Sequence, residues 1–102
     1  MNDYRPEIRS LLNTLKKHGF TPHILNDGEE LIRGSAINAE EIEATDESHL
    51  YVKDVNNKKY FIHIVLGNEP GEIAADYSDH EPLEEAISEH YDRWENKKQP
   101  KK

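Results

Sequence analysis

The stretch HLYVKDVNNKKYFIHIVL, residues 49–66, reads as two β-strands joined by a turn. Asn56 and Asn57 tolerate left-handed backbone and favour a hairpin between HLYVKDV and KKYFIHIVL. In the second strand Tyr60, Ile62, Ile64 and Leu66 point one way, and Phe61, His63 and Val65 point the other. Both sets are largely apolar, so this strand is expected at the centre of a sheet with both faces covered. EIAADYS supplies a third strand, with Ile73, Ala75 and Tyr77 on one face, and completes a meander over residues 49–78.

Working outward, DYRPEIRSLLNTLKKH (3–18) places Ile8, Leu11, Leu12 and Leu15 on one helical stripe. Pro6 suits the first turn, and Lys16, Lys17 and His18 suit the negative end of the helix dipole. Gly19 is the expected left-handed stop, with Phe20 folding back on Leu15. TPHILNDGEELIRG (21–34) reads as two short strands around Asp27 and Gly28. In SAINAEEIEATDES (35–48) Asn38 is the expected N-cap of a short helix, with Glu41 three residues on and Ile37 and Ile42 as a hydrophobic staple.

Downstream, DHEPLEEAISEHYDRWE (79–95) forms a last helix. Leu83, Ala86, Ile87, His90, Tyr91 and Trp94 share one arc, while Glu81, Glu84, Glu85, Glu89, Asp92 and Glu95 fill the other side. Asp79 or Ser78 is the expected cap. The fold class is therefore α+β in two layers, an antiparallel sheet of three to five strands packed by N- and C-terminal amphipathic helices. Residues 1–96 are expected to form one domain, and residues 97–102 a disordered basic tail in which Pro100 ends any helix.

Composition bounds the rest. Leu, Ile, Val and Phe make up 22 of 102 residues, enough for one modest core. No cysteine is present, which excludes disulfides and thiolate zinc sites and fits a reducing, cytoplasmic setting. No run approaches the roughly 18 apolar residues of a membrane span, so no membrane partner is expected. The net charge is −8, and setting aside Lys97, Lys98, Lys101 and Lys102 takes it to −12. Such a chain repels a phosphate backbone, so direct nucleic-acid binding is not expected.

Several constellations invite chemistry. GNEPGE (67–72) has two glycines but lacks the Lys-Ser/Thr of a phosphate loop, and its Glu69 and Glu72 oppose an anion; it reads as a turn with Pro at the second position and Gly at the third. The run SDHE cannot form a Ser-His-Asp triad, because consecutive residues do not reach that geometry. For a metal, His80 and Glu84 stand four apart, and His63 or Asp76 would join from the sheet. His90 lies ten residues beyond His80 on the same helix, too far to share an ion, and is expected buried and hydrogen-bonded. Adjacent surface glutamates share one solvent and offer no acid and base pair.

One feature opposes stability. Glu81, Glu85 and Glu89 follow at four-residue steps, with Asp92 beyond, and like charges at this spacing destabilise a helix. Only Arg93, four residues past Glu89, compensates. The stripe is read as a contact surface for a protein partner with a basic surface. Its alternative use is as a DNA mimic that occupies a DNA-binding protein. At about 6 Å per helical step it would need help from Glu40, Glu41 and Glu43.

The run LYVKD (50–54), and IVLGNEPGEIAADYSDHEPLEEAI (64–87) through to Trp94, resembles a group of short uncharacterised proteins from bacterial chromosomes, prophages and plasmids. The resemblance spans residues 49–95, implies a bacterial or mobile-element setting, and carries over no catalytic residue. The expected function is that of a small acidic, noncatalytic interaction or regulatory protein, without cofactor, as a monomer or as a homodimer joined through a sheet edge. A small metal-dependent enzyme built on His63, Asp76, His80 and Glu84 is the competing class.

Overall fold

The stripe of Ile8, Leu11 and Leu15 folds residues Arg5–Lys17 into α1, and the cluster Leu83, Ala86, Ile87 and His90 folds Glu81–Lys98 into α3. In the computed structural model, which describes residues 4–28, 31–34, 37–45, 47–66 and 73–98, these helices lie side by side on a five-stranded antiparallel sheet. The strands are β1 (Thr21–Asn26), β2 (Leu31–Arg33), β3 (Glu47–Lys53), β4 (Lys59–Val65) and β5 (Ala74–Tyr77), in the order β2-β1-β3-β4-β5. The short α2 (Ala39–Glu43) packs against α1. The two-layer α+β architecture is the expected one.

Local chemistry sets the element ends. α1 stops at Gly19, whose φ of +90° suits glycine alone, and Phe20 N–H donates to the Leu15 carbonyl at 2.9 Å while Gly19 N–H donates to that of Lys16. Phe20 thus folds onto Leu15, and both are buried. Asn38 caps α2 by accepting from Glu41 N–H at 2.9 Å. α3 departs from expectation at both ends. Ser78 does not cap it, because its hydroxyl accepts from Phe61 N–H and extends the β4–β5 pairing; the His80 carbonyl accepts the first helical bond, from Glu84. At the other end the helix continues through Lys98, since nothing before the pre-proline residue opposes it.

The β3–β4 turn is wider than a two-residue Asn56-Asn57 hairpin. The Asp54 carboxylate accepts from the amides of Asn56 and Lys58, Asp54 N–H donates to the Lys58 carbonyl, and Asn57 takes the left-handed conformation at φ 66°. β3 therefore ends at Lys53, and Lys53 pairs with Lys59. That register puts Leu50 and Val52 beside Ile62 and Ile64, all fully buried under the helices. The expectation that β4 is covered on both faces is not met. The helices share a single core on one side, and Phe61, His63 and Val65 remain partly exposed on the other. Both edges are short, three residues in β2 and four in β5, which limits pairing with another sheet. The glycine-containing connection 67–72 lies outside the described residues.

Candidate binding surface: the uncovered face of the sheet

Strand alternation and register assemble the uncovered face in rows. Across the middle run Arg33, Ile24, Tyr51 and Phe61, each opposite the next on β2, β1, β3 and β4. The next row is Leu31, Asn26, His49, His63 and Asp76, and it spans all five strands. On the other side of the aromatic row stand Thr21, Lys53 and Lys59. Along β3 and β4 the face therefore passes from a lysine pair to an aromatic pair to an imidazole pair, in steps of about 7 Å.

The rings are ordered by contact. His49 and His63 stack with centroids 4.5 Å apart and planes within 2°, and His49 also leans on Phe61 at 6.3 Å. Glu47 holds the His63 ring through Nε2. At the other end, where a β-bulge lies between Pro22 and Ile24, burial and then the positive charges of Lys53, Lys59 and Arg33 hold the His23 imidazole below its ordinary pKa. These three cations have no carboxylate partner among the described residues. Asp54, next along the chain, commits its oxygens to two amides and the Tyr60 hydroxyl. Burial opposes ionisation of Asp54, but those bonds outweigh it and lower its pKa.

The residues singled out for a metal separate into two groups. His63 and Asp76 face each other across β4 and β5 on the uncovered face. His80 instead stacks on Tyr60 at 4.1 Å, with Phe20 against its edge, and Glu84 is exposed on α3. Among the described residues no group of three or more His, Asp or Glu side chains is placed to hold a metal ion.

On α3, the carboxylates Glu81, Glu84, Glu85 and Asp92 are exposed, without a cation partner among the described residues, and line a shallow hollow of about 530 Å³ with Ser88 and Glu89. Glu89 belongs to the fold more than to the stripe. It takes Lys17 Nζ at 2.9 Å and His18 Nε2 at 3.0 Å as well as Arg93, and the Lys17 and His18 bonds pull its pKa down to about 2. A second hollow, about 510 Å³, lies between the β1 end and the segment entering β3; Asn26, Thr45 and Glu47 line it, and so does Ser48, whose buried hydroxyl has no hydrogen-bond partner among the described residues.

One buried array escaped the sequence reading. His90, 0% exposed, places Nδ1 3.2 Å from Ser10 Oγ and Nε2 3.7 Å from the carboxylate of Glu7, itself 2% exposed. The residue types are those of a hydrolytic triad, but an imidazole without accessible surface meets no substrate. The array ties α1 to α3. Glu7 carries no mark in the sequence that distinguishes it from the exposed glutamates around it.

Comparison of the chain with protein-family models, with curated proteins and with solved structures finds no match.

Proposed function

We propose that this is a noncatalytic binding protein that meets its partner through the uncovered face of the sheet. The observation that carries the reading is the clustering of Arg33, Lys53 and Lys59, unpaired among the described residues, beside two ring pairs on a face that no described helix covers. Like charges directly opposite each other destabilise a sheet. Elsewhere in the chain Arg5, Arg9, Lys17 and Arg93 all find carboxylates. An anionic partner would relieve that repulsion. The setting proposed is the cytoplasm, consistent with the absence of cysteine.

A second reading keeps the acidic stripe of α3 as the contact for a basic protein, including a DNA-binding protein whose site the carboxylates would fill. Its specific support is that Glu81, Glu85 and Asp92 stay exposed and unpaired among the described residues, whereas Glu89 is spent on α1. Affinity capture from an extract of the native host separates the two. The charge-reversed pair Lys53→Glu/Lys59→Glu should lose the captured partner, and Glu81→Gln/Glu85→Gln/Asp92→Asn should retain it. The opposite pattern would select the α3 reading.

A further inference from the structure

We propose that the uncovered sheet face binds single-stranded nucleic acid, with bases stacked on the Tyr51/Phe61 and His49/His63 pairs and the phosphate backbone held by Lys53 and Lys59. This rests on the reading of that face as the binding surface and names its ligand.

Three observations converge on this ligand. The first is the cationic end. Lys53 and Lys59 stand directly opposite each other, Arg33 ends the adjoining aromatic row on β2, and no described carboxylate pairs with any of the three in a chain of net charge −8. The second is the row order. About 7 Å from the lysines lies the Tyr51/Phe61 pair, and one further step away lie two imidazoles stacked 4.5 Å apart. Flat rings beside fixed cations suit a ligand that alternates planar groups with anions, and each stacked base is worth about 1–3 kcal/mol. An acidic peptide would use the lysines and leave the rings without a role. The third is the shape. The rings lie on a sheet face, so a strand whose bases are splayed out can lie across them, whereas in a duplex the base faces are hidden.

The net charge of the whole chain points the other way, but it averages the acidic face of α3 with the lysine end of the sheet. The unpaired carboxylates of α3 lie opposite the buried arc of that helix and so face away from the sheet. The lysine end of the face is cationic, while Glu47 and Asp76 stand at the imidazole end. A site with three cations and an acidic remainder predicts weak, strongly salt-dependent binding and discrimination against duplex, whose charge density of one phosphate per ~1.7 Å meets the acidic surroundings.

The test is fluorescence anisotropy of a labelled oligothymidylate of about eight nucleotides with the full chain at low salt. Three neutralised phosphates give a salt slope near −2, so a tenfold rise in salt weakens binding about 100-fold. Lys53→Glu/Lys59→Glu should abolish binding. Tyr51→Leu and Phe61→Leu, which keep an apolar side chain on the strand, should each weaken it about tenfold or more while circular dichroism stays unchanged. An abasic strand of equal length and an oligoglutamate peptide are the controls, and both should bind much less. Equal binding of either control, or indifference to both leucine variants, overturns the nucleic-acid assignment while leaving the face as the binding surface. Absence of oligonucleotide binding by the wild type also overturns it. Host-extract capture that ignores Lys53→Glu/Lys59→Glu overturns the binding surface itself.

Discussion

Replacing His90 by leucine should destabilise the fold by about 3 kcal/mol, and replacing Glu7 by methionine in the same molecule should restore most of it. His90 is fully buried between α1 and α3, with Glu7 3.7 Å from Nε2 and Ser10 3.2 Å from Nδ1. Removing one partner of a buried ionisable pair costs about 3–5 kcal/mol when the other is left alone in a low-dielectric site, and less here because Glu7 keeps a further contact. The 3.7 Å separation is longer than a hydrogen bond, which places the effect at the lower end. Loss of the bond to Ser10 adds little, since Ser10 is only half-buried and water can replace the imidazole. The double variant removes both polar groups and fills the space with apolar atoms, a change that is often neutral. Urea unfolding followed by the single tryptophan, Trp94, reads the outcome. With a slope of about 1.5 kcal/mol per molar, the single variant shifts the midpoint down by about 2 M. A shift below about 0.3 M for His90→Leu, or a double variant as unstable as the two singles added together, would refute the reasoning.

Three further outcomes follow from the same structure. Glu89→Gln should lower stability at neutral pH. Because the folded pKa is about 2 against an ordinary 4.5, the wild-type advantage is complete above 4.5 and disappears as pH falls toward 2, so denaturation curves of the two proteins should converge in acid. Asn38→Ala removes the acceptor for Glu41 N–H and should cost about 1 kcal/mol in thermal or urea unfolding. Tyr91→Phe deletes a 2.8 Å bond from the hydroxyl to the Ala74 carbonyl, with an expected loss of about 1 kcal/mol and faster hydrogen exchange of the β5 amides.

Much of the fold was legible because it depends on local periodicity and caps. The spacing of Ile8, Leu11 and Leu15 gave α1, the Gly19-Phe20 stop matched its backbone bonds, and Asn38 capped α2 as its side chain suggests. The arc that includes His90 was likewise the buried side of α3. What was not legible depends on long-range pairing. Asp54 captures amides two and four residues on, and so moves the hairpin register by one residue from that of an Asn56-Asn57 turn. In β4 an apolar residue on each face looks the same whether a second layer covers it or a neighbouring strand shields it from the side; Phe61 and Val65 belong to the second case. The candidate site was hidden for the same reason. Arg33, Tyr51 and Phe61 lie on three strands, and only the register of β1, β2, β3 and β4 sets them in one row. Net charge, which counts the α3 carboxylates and the sheet lysines together, concealed the cationic end formed by Lys53 and Lys59.

The most direct test of the uncovered face is a two-dimensional NMR titration of the isotopically labelled protein with the oligothymidylate, read at backbone amides and imidazole carbons. The structure predicts shifts concentrated at His49, Tyr51, Lys53, Lys59, Phe61 and His63, with α3 silent. Shifts confined to α3, or spectra that do not change, would contradict it.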